Sequence, residues 1–255
     1  MKKIFLTLVT TALLFSCKKD ADEVKGGTFS SNKIEVHEGK SWSWIKVDKQ
    51  GAPEQLALTI DDQVLNSVPS GNGDHSDGHN HENNIVIPIH PVGQKTTPFK
   101  FIFLNWNPAG HEPDGIYDLP HFDMHFYMTS EQEVMAATDM AKIENLPAPQ
   151  YIPLMHVPGA PVPQMGKHWV DVTSPELNGA PFTQTFIYGS YDGKVTFYEP
   201  MITLQFLKNT TTFERPIPQP EKYQQAGYYP TKMKIKKHDG VTDIILDGFV
   251  QRQAS

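Results

Sequence analysis

Cysteine is almost missing from this chain: Cys17 is the only one in 255 residues. A lone thiol excludes an intramolecular disulfide framework and any cysteine-rich zinc finger. Basic charge is also scarce, with 22 Lys and Arg against 29 Asp and Glu and a formal net charge of −7. Sequence-independent binding of nucleic acid needs a basic surface, so nucleic acid is not an expected partner. No apolar run approaches the roughly 18 residues of a membrane-spanning helix. GxSxG, P-loop, HExxH and GxGxxG patterns are all lacking, which leaves no signature of a nucleotide cofactor. Ser190 stands beside a turn with no evident base, so nucleophilic catalysis has little support.

What the chain does have is turn-formers and aromatic bulk. Its 21 Pro and 18 Gly are too many for a helical bundle, while 14 Phe, 9 Tyr and 4 Trp can fill a core. The fold expected is all-β, a mainly antiparallel sandwich or barrel-like domain with one or two short helices, spanning residues 30–255.

The first residues read as an address. Lys2 and Lys3 precede the apolar run Ile4 to Phe15, about a dozen residues long, the length of a signal-peptide core. The run ends in Leu14-Phe15-Ser16-Cys17, which resembles the lipobox of bacterial lipoproteins. That resemblance implies cleavage after residue 16, acylation of Cys17 and a partner in the membrane, reached through the lipid anchor. Residues 17–29 then act as a tether. Lys18 after the cysteine looks like the sorting signal for the outer membrane, so the expected location is the cell envelope.

Strand patterns follow. Lys40 to Val47 and Leu56 to Ile60 alternate, and Ile85 to Ile89 and Phe99 to Trp106 read as buried strands. In His121 to Met128, Phe122, Met124, Phe126 and Met128 share one face, and His121, Asp123, His125 and Tyr127 the other. Ser130 with Glu133 forms a capping box that opens a helix to about Met140. Prolines from Pro147 to Pro163 make that stretch extended. Asp192-Gly193 and Asp239-Gly240 are hairpin turns, between Phe182–Tyr191 and Lys194–Leu207 and between Lys232–Lys237 and Val241–Val250. Glu221 to Ala226 reads as a short helix stopped by Gly227. Residues 70–84 are a polar, Gly-rich, disordered loop; its His75, His79 and His81 either chelate metal weakly or are simply solvated.

Imidazole and carboxylate on neighbouring strands are what a Zn, Cu, Fe, Mn or Ni site uses when thiolate is lacking. The candidates are His111, His121, Asp123, His125, His168 and Glu199. His121 and His125 lie about 13 Å apart on a straight strand, so two imidazoles barely converge on one ion. The leading set is His121, His125 and His168 with Glu199, for one divalent transition metal per chain. His111 and Asp123 are alternates or groups that fix the tautomers of the ligands. Glu199 shares a mainly apolar face with Val195, Phe197 and Met201 and needs a partner: a metal, a protonated His, or Lys167. The competing reading makes the His-Asp-His face the wet side of an antiparallel strand and His168 a structural residue. The functions that follow are a metal-binding lipoprotein, an interaction or homo-oligomerisation module with a structural His cluster, or a metal-dependent enzyme. The enzyme needs a pocket not closed by Trp106, Tyr117 and Trp169.

The run from Trp106 to Tyr117, then Pro120 to Met128, Met165 to Trp169 and Tyr191 to Met201 resembles an uncharacterised family of exported bacterial proteins, a domain of unknown function. Its pattern is WNPxGHxPxGxY, PHFDxHFYM, MGxHW and YxGxxxFxEPM, and the likeness covers about residues 30–207. It implies a β-rich secreted domain and supplies no activity. The His-rich loop and the tail from Phe213 look like departures from it.

Overall fold

The computed structural model describes residues 24–71 and 84–255. The leader, Cys17, most of the tether and the His-rich stretch 72–83 lie outside the described residues.

The chain begins one sheet with β1 (Gly27–Ser30), β2 (Ile34–Val36), β3 (Gly39–Val47) and β4 (Pro53–Asp61), followed by α1 (Asp62–Ser67). It then builds a second sheet from β5 (Ile85–Pro88), β6 (Phe101–Asn107), β7 (His121–Tyr127), β8 (His156–Val162), β9 (Gly166–Asp171), β10 (Gln184–Tyr191) and β11 (Lys194–Thr203). Three short α-helices interrupt this passage, α2 (Pro91–Thr96), α3 (Glu131–Met135) and α4 (Met140–Ile143), and α5 (Leu204–Asn209) follows β11. The chain returns to the first sheet with β12 (Thr212–Pro216), β14 (Lys232–His238) and β15 (Val241–Asp247), while β13 (Gly227–Tyr229) pairs with β16 (Val250–Arg252). The first sheet runs β1-β3-β4-β15-β14-β12 with β2 beside β3, and the second runs β5-β6-β7-β11-β10-β9-β8. Neither sheet closes on itself and their strand pairs are antiparallel, so the fold is a sandwich rather than a barrel.

Period-two alternation explains the layering. Ile45, Leu56, Leu58, Ile244 and Leu246 of the first sheet join Ile102, Leu104, Phe122, Met124, Phe126 and Tyr198 of the second in one core. Each such side chain, fully withdrawn from water, contributes about 1.5–3 kcal/mol. Trp42, Trp44 and Lys46 face away from that core, as their alternation with Ile45 and Val47 predicts. Both hairpins turn where expected, with Asp192 (φ 49°) and Gly193 (φ 74°), and with Asp239 (φ 45°) and Gly240 (φ 78°), all in the left-handed region that these two-residue turns demand.

The other face of the second sheet is not wet. Segments 108–120, 129–155 and 172–183 cover it, and their Val134, Tyr117 and Phe182 pack onto Phe101, Phe103, Tyr127, Phe197, Ile187 and Met201. The solvent-side reading of His121, Asp123 and His125 is thereby overturned: all three are buried.

Several boundaries differ from expectation. The helix after Ser130 keeps its capping box but stops at Met135, because the Asp139 side chain takes the amide of Ala141 and starts a separate helix. The strand expected to reach Leu207 ends at Thr203, whose hydroxyl caps α5. No helix forms over 221–226, since the amide of Lys222 bonds to Gln150 and Tyr223 bridges to Ala254. Gly27 to Phe29, placed in the tether, belong to β1 and pair with β3. Among the described residues the α-helices are five and short, not one or two.

Candidate metal centre

β7 carries three of the six candidate residues because its outward positions recur every second residue. β6 lies on one side of it and β11 on the other, with Asn107 opposite His121, Met201 opposite Asp123 and Phe197 opposite Tyr127. That register sets Glu199 beside His125. His168, on β9, pairs with Gly189 of β10, which in turn pairs with Phe197. His168 thus comes over the bare backbone of Gly189 towards Glu199. The β-bulge at Gly189/Ser190 moves Val195 to the sheet–sheet core, so Val195 does not share the face of Glu199.

The six residues do not meet at one point. They form two sets, His111 with His121 and Asp123, and His125 with His168 and Glu199, each offering ligand atoms within 4.8 Å of one another. The expected grouping of His121 with His125, His168 and Glu199 is corrected by the strand geometry that limited it: two residues four apart on a strand reach different neighbours. His111 and Asp123 are as central to one set as His168 and Glu199 are to the other.

In the first set, His111 Nε2 lies 3.2 Å from Asp123 Oδ2 and His121 Nε2 lies 3.1 Å from Asp123 Oδ1. Each imidazole donates through Nδ1 to a backbone carbonyl, His111 to Glu112 at 2.7 Å and His121 to Leu119 at 2.6 Å. A carbonyl only accepts, so Nδ1 holds the proton, and in the neutral ring Nε2 presents a lone pair to the carboxylate. The His121 Nε2 to Oδ1 approach lacks hydrogen-bond geometry, and both atoms are buried with no hydrogen-bond partner. Lone pairs facing a carboxylate repel unless a proton or a metal ion lies between them. Asn107 Nδ2 donates to Asp123 Oδ2 at 2.7 Å and fixes its plane. Burial would raise the Asp123 pKa, but His121 and His111 beside it hold it well below the usual carboxylate range. For His111, burial pulls the pKa down and Asp123 more than reverses it.

In the second set, His125 Nε2 is 3.3 Å from Glu199 Oε1 and His168 Nε2 is 3.5 Å from Oε2. Glu199 is 1% exposed and its Oε2 accepts no hydrogen bond. Lys167 is not its partner: that ammonium bonds to Glu144 at 2.9 and 3.0 Å. Burial first, then the negative charge of Asp123, push the Glu199 pKa well above its normal value. Trp106 and Trp169 point into the sheet–sheet core and do not close either set. Tyr117 does lie over this face, with its ring centroid 5.8 Å from that of His111.

Three groups carry more than their sequence context suggested. Asn107 and Tyr117 fall within the run from Trp106 to Tyr117, where the sequence offers Tyr117 only as a residue that could close the pocket and marks Asn107 for nothing. Glu176 stands in the 3-10 helix Pro175–Asn178, is 4% exposed, and leaves Oε1 without a partner. Nothing in the surrounding sequence marks it. Outside both sets, His90 caps α2, His156 stands edge-on to Tyr188, and His238 bonds to Asp243. The chain matches no protein-family model, no curated protein and no solved structure.

Proposed function

We propose that this chain is an exported lipoprotein whose sandwich binds divalent transition metal ions, one in each two-histidine, one-carboxylate set. The observation that carries the reading is the pair of carboxylates, Asp123 and Glu199, buried with imidazole nitrogens 3.1 to 3.5 Å away and no lysine or arginine among their ion-pair partners in the described residues. Unpaired buried charge costs several kcal/mol, and a dication between the ligand atoms removes that cost. Two imidazoles and a carboxylate suit Zn(II) and also Fe(II), Mn(II), Ni(II) or Cu(II), and leave coordination positions open. Backbone carbonyls on Nδ1 of His111 and His121 are the outer contacts that orient metal-binding imidazoles.

Elemental analysis of protein purified without chelator is expected to give two metal ions per chain. His111→Ala and His168→Ala should each reduce the count to one, and the double variant should reduce it to none. Metal-free wild-type protein that takes up no Zn, Cu, Mn or Ni ends the reading.

One contact favours a second reading. His111 Nε2 and Asp123 Oδ2 have hydrogen-bond geometry at 3.2 Å, which suits a protonated His–Asp network in a purely structural cluster. In that case His121→Ala lowers the melting temperature equally with and without added metal.

A further inference from the structure

We propose that a cavity under the helical cover of the second sheet binds a small hydroxylated carboxylic acid, its hydroxyl held by Tyr127 and Thr196 and its carboxylate by Lys142 and Lys194. None of the six candidate metal ligands lines this cavity, so the proposal goes beyond the metal reading and does not rest on it.

The frame comes from the backbone. β7 supplies Tyr127 and β11 supplies Thr196 and Lys194, while Val134 stands on α3 and Lys142 on α4. Together they enclose about 310 Å³, the small end of the range for ligand pockets. Three main-chain hydrogen bonds fix the surround: the amide of Gln164 to Ala137 at 2.8 Å, that of Asp192 to Lys142 at 2.9 Å, and that of Gly193 to Asn145 at 2.7 Å.

The hydroxyls share a face for a stated reason. Phe197 pairs with Tyr127, and the register slip at Gly189/Ser190 makes Thr196 the extra residue of the bulge. Val195 goes to the sheet–sheet core, and Thr196 lines the cavity with Tyr127. Both hydroxyls are buried and neither has a hydrogen-bond partner. Among the described buried side-chain atoms in that condition, these two alone belong to residues that line this cavity. Tyr127 is not free to swing towards another partner. Its ring is stacked on Phe101 at 5.1 Å and on His125 at 5.8 Å, with Phe103 edge-on at 5.5 Å. Buried hydroxyls nearly always find a partner. A guest hydroxyl supplies one to each, accepting from one and donating to the other. Water does the same, but Val134, Ala136, Ala137 and Met165 form much of the remaining wall and suit an apolar body better than a column of water.

Charge sets the other end. Exposed Lys142, Lys194, Glu133 and Asp192 stand around the mouth. Both acids are engaged. Glu133 Oε2 accepts from the amide and hydroxyl of Ser130 at 2.8 and 2.7 Å, and Asp192 Oδ1 accepts from Asn145 at 3.1 Å. Lys142 reaches Asp192 only at 4.0 Å, and Lys194 forms no ion pair among the described residues. An exposed pair as loose as the first contributes little, so both ammonium groups are available to a carboxylate.

The test titrates the full chain by calorimetry with 4-hydroxybenzoate, with benzoate, which lacks the hydroxyl, and with phenol, which lacks the carboxylate. Wild type is expected to bind one 4-hydroxybenzoate, about tenfold tighter than either fragment, the worth of one hydrogen bond or ion pair in a partly dry site. Tyr127→Phe and Thr196→Val should each weaken 4-hydroxybenzoate about tenfold and leave benzoate unchanged. Replacing both lysines, Lys142→Gln with Lys194→Gln, should weaken both acids and leave phenol unchanged. A wild-type chain that takes up none of the three leaves the hydroxyls to water and overturns the proposal. So does a Thr196→Val chain that still tells 4-hydroxybenzoate from benzoate, a readout that stands if Tyr127→Phe does not fold. His111→Ala and His168→Ala should bind the acid as wild type does. Acid affinity that falls with the metal count would put the carboxylate on the metal ions and overturn the cavity site while leaving the metal reading intact.

Discussion

Asp123 and Asp243 show how differently one carboxylate can be handled in the same fold. Asp123 sits on the buried face of the second sheet beside His111 and His121, which give their Nδ1 protons to backbone carbonyls. Asp243 is 5% exposed in the first sheet and is fully provided for: Thr59 donates at 2.5 Å, Trp44 Nε1 at 3.3 Å, and His238 Nε2 lies 2.9 Å from its other oxygen. The hydrogen bond that His238 donates to Asp243 is the main cause that raises the His238 pKa; burial opposes it, and Asp239 adds a further rise. A histidine whose folded pKa is raised stabilises the protein below its unfolded value and loses that contribution as pH rises through the folded one. The melting-temperature difference between wild type and His238→Gln should therefore be largest below the unfolded value of 6.5 and shrink as pH rises through the raised folded midpoint. Proton NMR of the His238 ring should show its midpoint falling back towards 6.5 in Asp243→Asn. A midpoint unmoved by that substitution would show that Asp243 is not the cause.

At the scale of elements, the second set depends on a crossing of three strands. Gly189 of β10 lies between Phe197 of β11 and His168 of β9. A Cβ placed on Gly189 would come within 1.9 Å of two ring carbons of Phe197. That ring is held by Tyr127 at 5.0 Å, His125 at 5.0 Å and His168 at 5.2 Å, so it has nowhere to go. Gly189→Ala should cost about 1–3 kcal/mol, the usual penalty of overpacking, read from urea denaturation. It should also lower the metal count from two to one, because the displaced ring pushes on both imidazoles of one set only. Loss of both ions would show that the sets are not separate at this point, and loss of neither that the Phe197 ring does not bear on the second set. The need for glycine here was invisible beforehand, since it comes from a neighbour across the sheet. What could be read from the chain was local: the alternation of β7, both Asp-Gly turns and the capping box at Ser130. What could not be read was set by distant partners. The amide of Lys222 bonds to Gln150 and leaves no helix over 221–226, and the Thr203 hydroxyl turns a strand into α5.

At the scale of the molecule, alternation shows that a strand has two faces but not that both are buried. His121, Asp123 and His125 were legible as one row, while the layer that covers them comes from irregular segments with no periodic signal. The split into two sets follows from that same row, because about 13 Å of strand leaves two imidazoles barely able to converge on one ion. Membrane attachment, by contrast, is proposed from the leader alone. No helix among the described residues is long and apolar enough to cross a membrane, and the anchor proposed is the acylated Cys17. A single chain holds a protein only marginally, and stable attachment takes a second lipid or a second signal. The acidic chain brings no strong electrostatic attraction to anionic lipid. Cys17→Ser is therefore expected to abolish incorporation of radiolabelled palmitate, while the metal content of the folded domain stays at the wild-type value. Label retained in the variant would mean that the acyl group is carried elsewhere, and wild-type protein that takes up no label would remove the lipoprotein address. A fall in metal content on losing the lipid would tie the two sets to the membrane surface, against a centre built wholly from β7, β9, β11 and the segment that carries His111.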